Sequence, residues 1–405
     1  FGVLAVLALP FSALPQKHRK KEAQTKPPAE KPQPSIDPIT GLPRVTALAA
    51  IVLDPATGQV LYEKNADMRL APASTTKIMT GLLLLEKCLP GDLLVAPTTV
   101  KDVKESSAHL MPGERLSAKE MLYALMLRSA NDGCHTVACH ISGDEAKFAK
   151  LMNERAKELG CTSTNFANPH GLPNDSHWTT ARDLTKMASQ AMKYPDFAKA
   201  VATQKHVLKR SMNTKDTLLV NRDRWLGMDA RAKGIKTGFT RAAGQCFVGY
   251  AVEGDRHVMT AILKSQNWVA DQQFLVDWAF KEFQLKTLIE KGQLVGSIPV
   301  ERGQVPSVDL VAQESVVKLA RANEPAVSWK WDEGKAGAPI LAGEVLRSAS
   351  AEIGGKTVTV NLVAARSVKE VNLAATLATP TGLAGAMLLG LGAVFFRHRS
   401  RQWAK

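Results

Sequence analysis

The sequence lacks the acidic residues that would balance its basic ones. It has 38 Asp and Glu against 52 Lys and Arg, a net charge of +14. Two segments, residues 16–32 and 397–405, carry +4 each, so only +6 is spread over the rest. That remainder has no basic stripe interleaved with aromatic residues and no known nucleic-acid motif. Binding to nucleic acid is therefore excluded, and the basic excess belongs to the ends of the chain.

Cysteine is also scarce, with 5 in 405 residues, and an odd number leaves at least one thiol unpaired. Cys134, His135, Cys139 and His140 are close in sequence and suggest a metal site. Their spacing on a helix does not bring all four to one face, however. We therefore predict no metal and no cofactor, with the cysteines as small apolar packing residues.

Charged residues are missing from one long stretch, residues 373–396, which is followed at once by the basic tail 397–405. Its 24 residues, at about 1.5 Å each, are enough to cross a hydrocarbon core of about 30 Å, and the basic flank predicts a cytoplasmic C-terminus. The sequence thus predicts a transmembrane helix that anchors the protein in a membrane. A buried helix, or a processed sorting signal around Thr379–Gly382, remains an alternative.

The other end of the chain has the composition of an exported protein. Residues 1–15 are apolar over too short a distance for a membrane span and are typical of the hydrophobic region of a signal peptide. Residues 16–43 are rich in Pro, Lys and Glu and cannot form a core. We predict that they form a disordered tether.

The most informative segment covers residues 70–86. Pro72 suits the start of a helix, and the apolar run that follows is typical of a buried one. Ser74 then lies in the first turn, and Lys77, three residues later, shares its face. Lysine can remove a serine proton only if its pKa falls from about 10.4 towards neutrality, which burial and a second ammonium favour. Lys236 is the candidate for that ammonium.

A second motif, Ser129-Ala130-Asn131, lies where a helix is predicted to end. Ser117–Glu120 is a capping box, and it starts an apolar helix through Met121–Leu127. The polar residues that follow are predicted to face a site.

A third motif, Lys236-Thr237-Gly238, precedes two predicted strands, residues 246–252 and 257–263, joined by a turn at 253–255. Each of the three motifs is common by chance. Their occurrence in this order, each in its expected setting, is specific.

At this point the chain resembles the penicillin-binding serine hydrolases, and more closely the low-molecular-mass D-alanyl-D-alanine carboxypeptidases (serine peptidase family S11) that trim cell-wall peptides. The resemblance covers roughly Val45 to Asn372. It includes the stretches 165–172, 177–183 and 236–244, and it extends to 338–344, which is similar to the accessory β-domain of that family.

The resemblance implies the fold. We expect an α/β (α+β) penicillin-binding/β-lactamase-like catalytic domain over residues 44–285, with an antiparallel sheet flanked by helices. A small all-β domain follows over 286–369, where short alternating segments at 294–300, 316–319 and 357–363 are separated by Gly and Pro. The C-terminal transmembrane helix completes the architecture. A spacer role that lifts the active site from the membrane is the expectation for the β-domain.

The resemblance also implies roles for the motif residues. Ser74 corresponds to the acylated nucleophile, Lys77 to its general base, and Ser129 to the relay that passes the proton to the leaving amine. Asn131 would hold the substrate amide. The backbone N–H groups of Ser74 and Phe239 would form the oxyanion hole.

Binding of the terminal carboxylate falls to the third motif. Lys236 and Thr237 would bind it, with Gly238 completing the motif, since an ammonium and a hydroxyl on a rigid strand edge suit a carboxylate. Arg222 is a further candidate cation. The sequence departs from the family pattern beside it, because Asp223 stands where the family usually has asparagine.

The implied activity is removal of the terminal D-alanine from peptidoglycan stem pentapeptides through a Ser74 acyl-enzyme, with β-lactam antibiotics as covalent inhibitors. The expected location is the outer side of the bacterial cytoplasmic membrane, in the periplasm or on the wall side. A class A β-lactamase is disfavoured because residues 165–172 contain no Glu. A DD-endopeptidase that cleaves cross-links uses the same chemistry and remains open, as does a non-catalytic wall-binding scaffold.

Overall fold

The structure is a computed structural model that describes residues 1–2, 31–321, 326–353 and 356–372. Residues 3–15 of the predicted signal-like segment, the predicted membrane span 373–396 and the tail 397–405 lie outside the described residues. None of the helices in the described ranges is long and apolar enough to cross a membrane.

The helices and strands alternate irregularly along the chain. The helices are α1 (Lys77–Lys87), α2 (Ala118–Tyr123), α3 (Asn131–Ser142), α4 (Glu145–Glu158), α5 (Ala181–Met192), α6 (Pro195–Ala202) and α7 (Trp268–Glu282). The strands are β1 (Ser35–Ile36), β2 (Pro43–Arg44), β3 (Ala49–Leu53), β4 (Val60–Lys64), β5 (Leu93–Val95), β6 (Arg115–Ser117), β7 (Lys205–Val207), β8 (Leu218–Val220), β9 (Ala232–Thr240), β10 (Gly244–Glu253), β11 (Arg256–Ser265), β12 (Phe283–Ile289), β13 (Leu294–Glu301), β14 (Ser307–Ala312), β15 (Val316–Arg321), β16 (Ala336–Gly337), β17 (Val345–Ile353) and β18 (Lys356–Ala364).

A five-stranded antiparallel sheet in the order β4-β3-β11-β10-β9 forms the centre of the catalytic domain. One face packs against α5 and α6, with α1 behind them, and the other face packs against α7. Both faces are covered, so β3, β10 and β11 carry nearly continuous apolar runs. The predicted antiparallel sheet flanked by helices is confirmed.

The predicted hairpin of strands is present but longer, as β10 and β11. The motif Lys236-Thr237-Gly238 lies in β9 at the outer edge of the sheet, where Thr237 pairs with Phe247 and Gly238 with Cys246. Only one side of β9 is hydrogen-bonded within the sheet, which leaves its other edge facing the site.

The predicted helix Met121–Leu127 is regular only to Tyr123. The next residues, Ala124–Arg128, form a π turn, and Ser129 follows in the left-handed conformation with φ of 62°. The wide turn replaces the expected helix end because the chain must reverse at once into α3, and the N–H of Ala130 donates to the carbonyl of Ala124 to close it.

Part of the predicted tether 16–43 has regular structure. β1 pairs with β2, and the turn between them is held by Asp37, whose carboxylate accepts from the guanidinium of Arg44 at 2.7 Å. The composition of this segment did not reveal the pairing, because its Pro and polar residues also suit a turn.

The second domain is a five-stranded sheet in the order β16-β13-β14-β18-β17 with its own apolar core. All its pairings are antiparallel except that of β13 with the two-residue β16. The three strands predicted from alternation correspond to β13, β15 and β18. β15 pairs instead with β12, so the predicted boundary at 285/286 falls inside a strand that follows directly on α7.

Candidate active site

Ser74 lies in a turn of 3-10 helix, Ala73–Thr76, that runs directly into α1. The turn is stabilised by the hydroxyls of Thr75 and Thr76, which donate to the carbonyls of Pro72 and Ala73 at 2.8 Å each. Ser74 Oγ lies 3.0 Å from Lys77 Nζ, so the predicted contact within the first motif is confirmed.

Lys77 is completely buried and lies at the centre of a polar network. Its ammonium donates to Asn131 Oδ1 and to the carbonyl of His170, both at 2.7 Å. Burial lowers its pKa to about 8, and the nearby cation Arg222 acts in the same direction. A lysine with this pKa is partly neutral near pH 7, which is the state a general base needs.

Lys236, the second ammonium expected beside Lys77, interacts electrostatically with it. It is buried, and its pKa lies well below the ordinary value because of burial and the charge of Lys77. An arriving carboxylate would favour the protonated form of Lys236, because an opposite charge stabilises an ammonium. Its described hydrogen bond, to the carbonyl of Thr237 at 3.1 Å, leaves further N–H groups for a ligand.

Ser129 presents an unsatisfied hydroxyl to the site. The residue is only 2% exposed, and its Oγ has no hydrogen-bond partner among the described atoms. A buried hydroxyl without a partner costs about 1 to 3 kcal/mol, so such groups in native proteins generally have a functional reason. Ser129 has a left-handed backbone and is one of the residues that line the cleft.

Asn131 is the first residue of α3 and is held on three sides. Its Oδ1 accepts from Lys77, its Nδ2 donates to the carbonyl of Lys104 at 2.9 Å, and its backbone N–H donates to the carbonyl of Ser106 at 2.7 Å. Asn131 therefore orients Lys77, and one N–H of its amide remains for a substrate.

The third motif lies against the first. A Cβ on Gly238 would come within 3.0 Å of the backbone nitrogen of Ser74, so only glycine lets β9 approach this closely. Thr237 lines the cleft beside it, and the ring of Phe239 is 65% exposed at the cleft edge.

Arg222 lines the same cleft as Thr237, and its Nη1 donates to Ser106 Oγ at 2.6 Å. Asp223, which stands where the family usually has asparagine, caps the 3-10 turn Arg224–Gly227. Its Oδ1 accepts from the N–H of Trp225 at 2.9 Å. Burial raises the pKa of this carboxyl to about 6.

The cleft has a volume of about 430 Å³. The predicted residues that line it are Ser74, Ser129, Asn131, Arg222, Thr237, Gly238 and Phe239. Lys77 and Lys236 are buried and are not among the residues that line it. The structure therefore brings together all the residues that the sequence selected.

Two buried histidines beside the site, His170 and His177, make structural contacts. His177 Nδ1 accepts from the backbone N–H of Ala167, so its Nε2 carries the proton donated to Thr76 Oγ1 at 2.8 Å. Burial lowers the pKa of His177 to about 3, which keeps the ring neutral. The carbonyl of His170 holds Lys77, and its ring lies 3.5 Å from Glu145.

All five cysteines are free thiols. Among the residues that the structure describes, no three His, Cys, Asp or Glu side chains are placed to hold a metal ion. Cys139 Sγ lies 3.6 Å from His135 Nε2, whereas the Cys134 side chain is buried in the core.

The residue that directly follows the second motif, Asp132, was given no role from the sequence. Asp132 is buried, and its carboxylate accepts from the hydroxyl of Ser107 and from the N–H groups of Ala108 and Leu110, at 2.6 to 3.0 Å. It thereby fixes the segment that forms one wall of the cleft. Its position after Asn131 was the only signal in the sequence.

Comparison with known proteins gives consistent results. A family model described as D-alanyl-D-alanine carboxypeptidase matches residues 37–267, and one described as penicillin-binding protein 5, C-terminal domain, matches residues 283–370. The chain is 32% identical to the D-alanyl-D-alanine carboxypeptidase DacF of Bacillus subtilis over 79% of this chain and 85% of that protein.

Two further likenesses are informative. The chain is 30% identical to a D-alanyl-D-alanine endopeptidase of Escherichia coli over 65% of this chain and 81% of that protein. The solved structure of penicillin binding protein 5 from Haemophilus influenzae superimposes with a TM-score of 0.67 at 23% identity, over 81% of this chain and 99% of that one. This structural likeness shows the two-part fold.

Proposed function

The chain belongs to the D-alanyl-D-alanine carboxypeptidase family and is a serine-type D-Ala-D-Ala carboxypeptidase, and from that premise we propose which residues carry the reaction. Ser74 attacks the carbonyl carbon of the penultimate D-alanine, and Lys77 accepts its proton. The N–H groups of Ser74 and Phe239 stabilise the oxyanion that forms.

The tetrahedral intermediate then collapses to an acyl-enzyme. The C–N bond breaks, and the leaving D-alanine takes a proton that passes from Lys77 through the Ser129 hydroxyl. Water subsequently attacks the ester carbonyl carbon, and the bond between that carbon and Ser74 Oγ breaks. Ser74 regains a proton, and the shortened peptide leaves with a free carboxylate. The Ser129 Oγ has no hydrogen-bond partner among the described atoms, which supports this relay. The leaving amine of a bound substrate would supply the partner that the hydroxyl lacks.

The observation that carries the proposal is the pairing of Ser74 Oγ with Lys77 Nζ at 3.0 Å, with Lys77 buried and its pKa lowered to about 8. A solvated lysine would be protonated and could not act as a base.

The experiment is covalent labelling by fluorescent penicillin, followed by mass spectrometry of products from a pentapeptide that ends in D-Ala-D-Ala. The parent should be labelled and should release D-alanine, whereas Ser74→Ala should do neither. A folded parent without label or product would favour the non-catalytic scaffold.

An endopeptidase activity is the second candidate, favoured by the 30% identity to an endopeptidase. Incubation of the parent with a cross-linked peptide dimer distinguishes the two activities. Release of monomers at a rate similar to that of D-alanine from the pentapeptide would assign both to this site.

We also propose that the protein acts on the wall side of the cytoplasmic membrane and is anchored by residues 373–396. The uncharged length of this segment and its basic flank support the anchor. Deletion of residues 373–405 should move the enzyme from the membrane fraction to the soluble fraction, and a membrane-bound deletion variant would contradict the proposal.

A further inference from the structure

Arg222 is exposed and is one of the residues that line the cleft. It forms no ion pair with the residues that the structure describes, and its guanidinium donates to Ser106 Oγ at 2.6 Å. Its backbone is fixed by the bond from its N–H to the carbonyl of Leu127, at 3.2 Å. The direction of the guanidinium, however, depends on the hydroxyl of Ser106.

Ser106 holds two parts of the site at once. Its carbonyl accepts from the backbone N–H of Asn131 at 2.7 Å, while its hydroxyl accepts from Arg222. Ser106 therefore links the second motif, which orients Lys77, to Arg222. Ser106 also lines the cleft.

The segment around Ser106 is held rigidly, although it is neither helix nor strand. Asp132 binds Ser107, Ala108 and Leu110 from one side. From the other side, the buried guanidinium of Arg210 donates to the carbonyl of Ala108 at 3.0 Å. A hydroxyl on such a fixed segment is preorganised, so it can orient a flexible arginine at little entropic cost.

We propose that Ser106 is a specificity-determining positioning residue, which aims Arg222 at the terminal carboxylate of the substrate. This inference rests on the proposed function, since it concerns recognition of a chain end. Thr237 and Lys236 would bind the carboxylate from β9, and Arg222 from the segment that follows β8. Ser106 contacts Arg222 rather than the reacting atoms, so its loss should affect binding of the carboxylate and leave the chemical step almost unchanged.

The test compares Ser106→Ala with Ser107→Ala, its neighbour, whose hydroxyl donates to Asp132 and not to Arg222. For the pentapeptide with a free carboxylate, Ser106→Ala should raise KM about 5- to 10-fold and change kcat less than about 2-fold. For the same peptide with an amidated terminus, kcat/KM should be equal in the parent and in Ser106→Ala. Ser106→Thr, which keeps the hydroxyl, should restore the parental KM.

Several results would overturn the inference. They are an unchanged KM in Ser106→Ala, a loss of the same size on the amidated peptide, or an equal rise of KM in Ser107→Ala. Thermal unfolding of each variant identifies general loosening of the segment, which would also lower kcat. Failure of the proposed function is distinct, because the parent itself would then not hydrolyse the free peptide.

Discussion

The pH dependence of acylation follows from the state of one lysine. If neutral Lys77 takes the proton of Ser74, the limiting acylation rate follows the neutral fraction of a group with pKa about 8. That fraction is about 1% at pH 6, about 9% at pH 7, half at pH 8 and about 90% at pH 9. The rate should therefore rise about ninefold from pH 6 to pH 7, about fivefold from pH 7 to pH 8 and less than twofold from pH 8 to pH 9.

The assay is stopped-flow acylation by a fluorescent penicillin, with the rate taken at saturating inhibitor. Saturation separates the chemical step from binding of the carboxylate, which depends on protonated Lys236 and weakens as pH rises. Ser74→Ala gives the baseline, and Lys77→Ala should abolish acylation at every pH because no other side chain of the first motif can act as a base.

Burial is the main cause of the lowered pKa of Lys77, and a second variant tests the smaller contribution of Arg222. Arg222 lowers the pKa of Lys77, so Arg222→Gln should move the rise in rate to higher pH. A limiting rate that is flat from pH 6 to pH 9 in the parent would refute the assignment of Lys77 as the base. Near-parental acylation by Lys77→Ala would point to Ser129 or water instead.

Three further outcomes are expected. Thr237→Val should lower kcat/KM for a free-carboxylate peptide by about one decade and change kcat/KM for the amidated peptide little. The substitution and the amidation remove the same interaction with the carboxylate, so equal losses on both peptides would contradict this. Gly171→Ala should unfold the site in thermal melts, because a Cβ there would lie 1.8 Å from the backbone oxygen of Ala73. Gly160→Ala is also at positive φ but has open space around it, so it should lower the free energy of unfolding by only about 1 kcal/mol. Glu114→Gln should destabilise the catalytic domain by about 3 kcal/mol or more in urea unfolding, because it leaves the buried charge of Arg210 without its 2.7 Å partner; an unchanged midpoint would show that backbone carbonyls compensate.

The contact between Ser74 and Lys77 could be predicted because their relation is local. Ser74 and Lys77 are three residues apart, so any helical turn brings them into contact, and Lys236-Thr237-Gly238 carries its chemistry along one strand. Antiparallel pairing was equally readable from the hairpin of β10 and β11, whose apolar runs are separated by a short turn. The sequence also contained the family pattern, which the comparisons confirmed.

The tertiary structure alone decided how charges from distant segments meet. Burial and the charge of Arg222 lower the pKa of Lys77, and burial and the charge of Lys77 lower that of Lys236. Repulsion between two like charges is mutual, so the two lysines that the sequence paired act on each other. The link from Ser106 to Arg222 joins residues 116 positions apart, and no periodicity encodes such a contact. A pattern in sequence reports neighbours within a helix or strand, whereas an electrostatic interaction depends on distance and burial, which only the packed chain fixes.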